Sequence, residues 1–199
     1  MFNNTKKTAF ILILALMLVV FSACGKPSAP AGTSSPNGST APAQSTAPAS
    51  ADAIMGDFDA KTIDGDSFKS SDLAAHKLTM VNVWTTTCGF CIKEMPDLQE
   101  LYKNLPEGTN LITICFDGVK NGSAAKKVLE NAGAEFKTLI PDKKLIESLG
   151  NVINAVPTTI FVDSEGRQVG DLIIGVPSLN DTANAYLKQL NARLETINK

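Results

Sequence analysis

The sequence predicts an α/β domain whose mixed central sheet is flanked by helices on both faces. Two short runs, Leu78–Trp84 and Leu111–Phe116, are rich in the β-branched and apolar residues that fill buried strands. Segments with helical periodicity separate and follow them. A late pair of strands, joined by a tight turn, precedes an amphipathic closing helix. The order β-α-β-α, then β-hairpin and α, places helices on both sides of one sheet.

The folded domain is expected to span 53–199. Phe58–Thr62 and Ser67–Lys69 flank Asp64-Gly65, the turn signal of an N-terminal β-hairpin. A helix begins at Cys88 and runs through Ile92, Met95, Leu98, Leu101 and Tyr102, which share one face. Ala124–Ala132 is a second helix stopped by Gly133, and Lys143–Leu149 a shorter one stopped by Gly150. Thr158–Val162 and Gln168–Ile174 form the late strands around the turn Asp163-Ser164-Glu165-Gly166. Ser178 to about Ile197 closes the domain as a helix.

Two segments of different character precede it. Residues 1–23 read as a lipoprotein-type signal peptide: Lys6 and Lys7 supply the positive flank, Ala9–Phe21 is unbroken apolar sequence, and Ser22-Ala23 are small. The apolar stretch falls short of the ~20 residues of a membrane-spanning helix. Cys24 follows directly, and Phe21-Ser22-Ala23-Cys24 resembles a bacterial lipobox, departing from it at Phe21, where Leu, Val or Ile is usual. The resemblance implies lipid on the Cys24 thiol and a protein held at the outer side of the bacterial cell membrane; a plain secretory signal is the alternative. Two acyl chains anchor stably where one does not. From Gly25 to residue 52 the chain is almost entirely Ala, Pro, Ser, Thr and Gly, too poor in large apolar residues to fold and kept extended by its prolines.

A formal charge of −2 with no basic run gives nucleic acid no footprint. The four cysteines, at positions 24, 88, 91 and 115, are too few and too uneven for a disulfide scaffold. The single histidine, His76, removes most zinc and Cys/His catalytic arrangements, and no metal site is expected.

A Cys-x-x-Cys pair at the start of a helix, directly after a strand, has a mechanical rationale. Unpaired backbone N–H groups and the helix dipole stabilise a thiolate on Cys88, the attacking species in disulfide exchange. Cys91, one turn on, is close enough to resolve the mixed disulfide. No cofactor beyond this redox-active pair is needed. Cys115, inside an apolar strand, reads as a buried, inert thiol.

The segment Val83-Trp84-Thr85-Thr86-Thr87-Cys88-Gly89-Phe90-Cys91-Ile92-Lys93-Glu94-Met95-Pro96 resembles the active-site segment of thioredoxin-like proteins, most closely the TlpA/ResA-like group of membrane-tethered thiol–disulfide oxidoreductases. Val156-Pro157-Thr158-Thr159-Ile160-Phe161-Val162-Asp163 resembles that group's second hallmark. The likeness covers the chain from about Phe58 onward. It implies a thioredoxin-like fold and a cis Pro157 facing the cysteines, with Val156 and neighbouring backbone left free to pair with an extended substrate. It also implies that Glu94 matches an active-site glutamate of the group, where partial burial raises its pKa and lets it exchange protons with the dithiol; a solvated helix glutamate is the alternative. The buried Asp usual in thioredoxins is here Asn82, which takes no proton. Trp84 is expected beneath the active-site loop, shaping the substrate surface. Phe90 stands where proline is common, and reads equally as a substrate contact or as a change in redox poise.

These readings describe an extracytoplasmic reductase, working as a monomer, that takes electrons from a membrane dithiol donor and reduces disulfides in exported proteins; the resemblance suggests apocytochrome c among them. An oxidase or isomerase would use the same residues. A peroxiredoxin-like peroxidase is a further reading, since Thr85 precedes Cys88 by three; but Val81 stands where its proline belongs, and Arg167 and Arg193 lie far along the chain. A non-enzymatic lipoprotein binding module is the last.

Overall fold

The computed structural model describes residues 53–198. Cys24, the signal segment and the linker to residue 52 lie outside the described residues. Seven strands form one sheet in the order β2-β1-β5-β4-β3-β6-β7. β1 (Asp59–Thr62) and β2 (Ser67–Lys69) make the expected N-terminal hairpin, Ala60 facing Phe68. β3 (Leu78–Trp84) and β4 (Thr109–Cys115) run parallel at the centre, with β5 (Lys137–Ile140) parallel beside β4. β6 (Thr158–Asp163) lies antiparallel to β3 on its other side.

The two faces of the sheet carry separate cores. Leu78, Met80 and Trp84 of β3, Leu111 of β4 and Phe161 of β6 pack under α1 (Gly89–Lys103), α2 (Gly118–Ala132) and α4 (Thr182–Ile197), meeting Met95, Leu98, Leu129, Tyr186 and Leu190. Val81, Val83, Ile112, Ile114, Ile160 and Val162 face the other way, onto Leu145 and Leu149 of α3 (Lys143–Gly150) and the hairpin residues Phe58 and Phe68. Helices on both faces make the near-continuous apolar runs of β3 and β4 necessary, because neither side meets water. One row interrupts the hydrocarbon: Thr138, Thr113, Asn82 and Thr159, neighbours in register on β5, β4, β3 and β6, are all buried on the α1/α4 side.

The structure departs from the sequence reading in five places. β5 was not expected; it fills the parallel position that the β4–α2 crossover requires and also pairs with β1. A 3-10 helix, Ser70–Ala75, follows β2. α2 begins at Gly118 rather than Ala124, across a kink at Asn121; Gly118 packs so tightly on Cys115 and Ile140 that a Cβ there would collide with the Ile140 side chain. The second strand of the late hairpin is not continuous: Gln168 makes an isolated bridge to Val162, and only Ile173–Ile174 (β7) pairs with β6 beyond it. Between them Gly170 takes a positive φ of 73°, and the Arg193 guanidinium donates to the carbonyls of Val169 and Asp171, filling the space beside the strand. α4 starts at Thr182, not Ser178.

Candidate active site

β3 ends at Trp84, and the chain turns through Thr85–Thr87 into α1. Cys88 is the N-cap of that helix, in extended conformation, its sulfur accepting from the Cys91 N–H at 3.2 Å. It sits where the positive end of the helix dipole favours negative charge on sulfur. Cys88 and Cys91 form a disulfide, with S–S 2.09 Å and Cα–Cα 5.3 Å, so the structure represents the oxidised form. The pair is asymmetric: Cys88 is half-buried, whereas Cys91 has no exposed surface.

The Val156–Pro157 peptide is cis, as the resemblance implied, and the Val156 carbonyl stands 3.6 Å from the Cys88 sulfur. Val156 and Cys88 are both partly exposed beside one another, while Pro157 is buried beneath. Phe90 projects outward, 60% exposed. Trp84 corrects the sequence reading: it is fully buried, its indole N–H donating to Thr113 at 3.2 Å, so it supports the loop from beneath and offers no surface to a substrate.

Glu94 is 2% exposed, one turn after Cys91. Its carboxylate accepts from Asn82 Nδ2 on Oε1 at 3.0 Å and from the Tyr186 hydroxyl on Oε2 at 3.1 Å. Thr159 closes the group, accepting from Asn82 Nδ2 at 3.2 Å and donating to the Tyr186 oxygen at 3.1 Å. Burial pushes the Glu94 pKa up to about 7; the bonds from Asn82 and Tyr186 oppose the rise, and the nearby charge of Asp97 adds to it. A cavity of about 220 Å³ opens beside this carboxyl, between Phe90, Lys93 and Asp97 of α1 and the chain from Val176 through Leu179 to Thr182.

On the far side, Asp117 fastens the loop before Cys88. It accepts from the Thr86 N–H at 3.0 Å and hydroxyl at 2.5 Å, from Asn121 Nδ2 at 3.0 Å and from the Cys115 thiol at 3.3 Å. Burial works against its charge, but these four donors outweigh burial and hold its pKa below the usual range. Cys115 is a free thiol whose pKa burial pushes up, away from the thiolate that exchange chemistry needs. Among the described residues no cluster of three or more His, Cys, Asp or Glu is placed to hold a metal, and no helix is long and apolar enough to cross a membrane.

The structure brings Cys88, Cys91, Phe90 and Glu94 at the start of α1 beside Val156 and the cis Pro157. Tyr186, Thr159 and Asp117 did not stand out in the sequence. Tyr186 looks like one more apolar position in the last helix, and only the meeting of α4 with α1 gives its hydroxyl a partner.

Comparison with known proteins agrees with this geometry. Residues 52–168 match the model of the AhpC/TSA family. The thiol–disulfide oxidoreductase ResA of Bacillus anthracis is 30% identical over 130 residues, 64% of this chain and 71% of its own length. The thioredoxin-like protein YneN of Bacillus subtilis is 30% identical over 120 residues, covering 60% and 68%. Among solved structures, a thioredoxin-family thiol:disulfide interchange protein from Chlorobium tepidum superposes with TM-score 0.59 at 23% identity, covering 69% of this chain and 93% of the other. StoA from Bacillus subtilis gives 0.55 at 24%, covering 70% and 99%. At those identities the structures attest the thioredoxin-like fold, and the sequence matches attest the kinship. A half-exposed sulfur capping a helix, a buried partner one turn on and these relatives lead to one conclusion: the chain belongs to the AhpC/TSA family and is a ResA-like thiol–disulfide oxidoreductase.

Proposed function

We propose that the enzyme works as a reductase of disulfides in exported proteins, at the outer face of a bacterial cell membrane to which lipid on Cys24 anchors it. The asymmetry of the pair supports the roles. Cys88, the partly exposed member of the pair, is the nucleophile: its thiolate attacks one sulfur of a client disulfide, forms a mixed disulfide and expels the other client sulfur as thiolate, which takes a proton. Cys91 then gives up its own proton, attacks the Cys88 sulfur and releases the second client thiolate. Two electrons have passed to the client, leaving the Cys88–Cys91 disulfide seen here. A membrane dithiol donor returns them by the same exchange in reverse.

Glu94 is the group we assign to accept the Cys91 proton, a task for which a pKa of about 7 is suited. Val156, beside Cys88 and set by the cis bond to the buried Pro157, and the exposed Phe90 at the cavity rim are the surface an extended client chain would meet. The 24–52 linker would hold the domain, acting as a monomer, clear of the membrane surface. Apocytochrome c, with its paired cysteines, is one client such a reductase would serve. Peroxide chemistry has less support: the Arg167 side chain is paired with Asp163, and the Arg193 side chain is held by backbone carbonyls over the Phe161 ring, so neither guanidinium is directed at Cys88.

The observation that carries the reading is the pair of one partly exposed and one buried cysteine at the helix start, with a buried carboxyl one turn beyond. The direction of electron flow is tested by the reduction potential of the Cys88–Cys91 couple, measured by equilibration with defined dithiothreitol ratios. A value near about −270 mV is expected; one near about −120 mV, the region of strong oxidants, would sink the reductase reading in favour of a disulfide-forming catalyst.

A further inference from the structure

We infer that Tyr186, on the last helix, is a positioning residue that holds the Glu94 carboxylate and governs when it takes up a proton. The inference rests on the reading of Glu94 above and extends it to α4, an element remote in sequence from the dithiol.

The argument is the direction of the hydrogen bonds. Asn82, Glu94, Tyr186 and Thr159 form a closed circuit of side chains, buried between β3, β6, α1 and α4. Asn82 Nδ2 only donates, and it gives one hydrogen to Glu94 Oε1 and the other to Thr159. Thr159, having accepted, passes its own hydrogen to the Tyr186 oxygen, and Tyr186 passes its hydrogen to Glu94 Oε2. Every hydroxyl therefore points toward the carboxylate, and each carboxylate oxygen receives one bond. The circuit is satisfied when Glu94 is charged. If Glu94 carries a proton on Oε2, that proton competes for the Tyr186 oxygen, the Tyr186 hydroxyl must turn to Thr159, and the Thr159 hydrogen is left with no acceptor in the circuit.

The Asn82 oxygen stands outside the circuit. It is buried with no partner, a cost of about 1–3 kcal/mol that the reversed amide would place on the donor side instead. Reversal would set that oxygen against Glu94 Oε1, where it could accept only from a protonated carboxyl. In the orientation seen here the amide donates to the carboxylate.

Few other charges face Glu94. Asp97 on α1 raises its proton affinity, and Lys93 lines the same cavity. β3 and β6 contribute only the uncharged Asn82 and Thr159, α4 contributes Tyr186 and Thr182, and the cysteine sulfurs are tied in the disulfide. Tyr186 is accordingly the sole hydrogen-bond donor to Oε2 among the described residues, and the one that a single change removes without altering the ring that packs in the core.

The test is infrared spectroscopy of the oxidised full-length chain across pH, following the stretch of the buried protonated carboxyl, identified by its loss in Glu94→Gln. The parent band is expected to fade with a midpoint near 7. Tyr186→Phe should move that midpoint alkaline by about one pH unit, because a bond to the charged form is lost. Thr159→Val, which leaves the Tyr186–Glu94 bond in place, should move it less. A merely structural Tyr186 would alter melting temperature and leave the midpoint where it was. An unmoved midpoint in a folded Tyr186→Phe protein overturns the inference and spares the role of Glu94. A parent chain with no such band near neutral pH removes that role, and the inference with it.

Discussion

Cys88 and Cys91 differ in what they can touch. The half-exposed Cys88 sulfur is open to a client, whereas Cys91, with no exposed surface, reaches only Cys88. Serine at each position should therefore fail in different ways. Cys88→Ser is expected to abolish reduction of a model disulfide protein such as insulin. Cys91→Ser should still attack but not resolve, accumulating mixed disulfides on non-reducing gels. Equal trapping by both variants would contradict the assignment of attacker and resolver. The pair itself was legible in the sequence because its two ingredients are local: a spacing of one helical turn and a strand immediately before. The ring around Glu94 was not. Asn82 and Thr159 are partners only through strand register, and Tyr186 joins them only through the docking of α4 on α1.

Among the elements, boundaries set by propensity were legible and those set by contact were not. β3 runs from Leu78 to Trp84 as its apolar run suggested. β5 escaped because four residues beginning with an exposed lysine make a weak pattern, and its reality lies in having partners on both sides. The run Phe136–Ile140 before Pro141 was the available signal. The start of α2 escaped because Gly118, Asn121 and Gly122 are poor helix formers; it is held instead by Asp117 and by the absence of a side chain at Gly118. Gly118→Ala should accordingly destabilise, against the usual gain in helix propensity, by about 1–3 kcal/mol from overpacking against Ile140 and Cys115. Chemical denaturation would show it; an unchanged or raised midpoint would mean that the contact relaxes freely.

For the whole molecule, the buried carboxyl makes stability depend on pH. Its pKa rises from 4.5 in the unfolded chain to about 7 in the folded protein, so between those values the native state binds more protons than the unfolded one. Stability should therefore fall as pH rises from 4.5 to about 7, with this group contributing a slope of up to about 1.4 kcal/mol per pH unit, and level off above. Denaturant titrations at several pH values, repeated on Glu94→Gln, isolate it: the slope should flatten by that amount in the variant, and equal slopes would show that Glu94 titrates alike in both states. This buried carboxyl thus makes the protein less stable once it is charged.

The row formed by Thr138, Thr113, Asn82 and Thr159 has a consequence for how the sheet finds its alignment. Two residues along each strand on the same face lie hydrocarbon positions such as Met80, Leu111 and Phe161. A strand displaced by two residues would bury nearly the same grease and keep the same face inward, so oil alone discriminates poorly between the correct alignment and its neighbour. With the row present, any such displacement parts Thr113 from Thr138 and Asn82 from Thr159, stranding polar atoms against carbon at about 1–3 kcal/mol each. The row acts as a printer's registration mark across four strands, and the same alignment that it enforces brings Asn82 and Thr159 under the one glutamate that needs them.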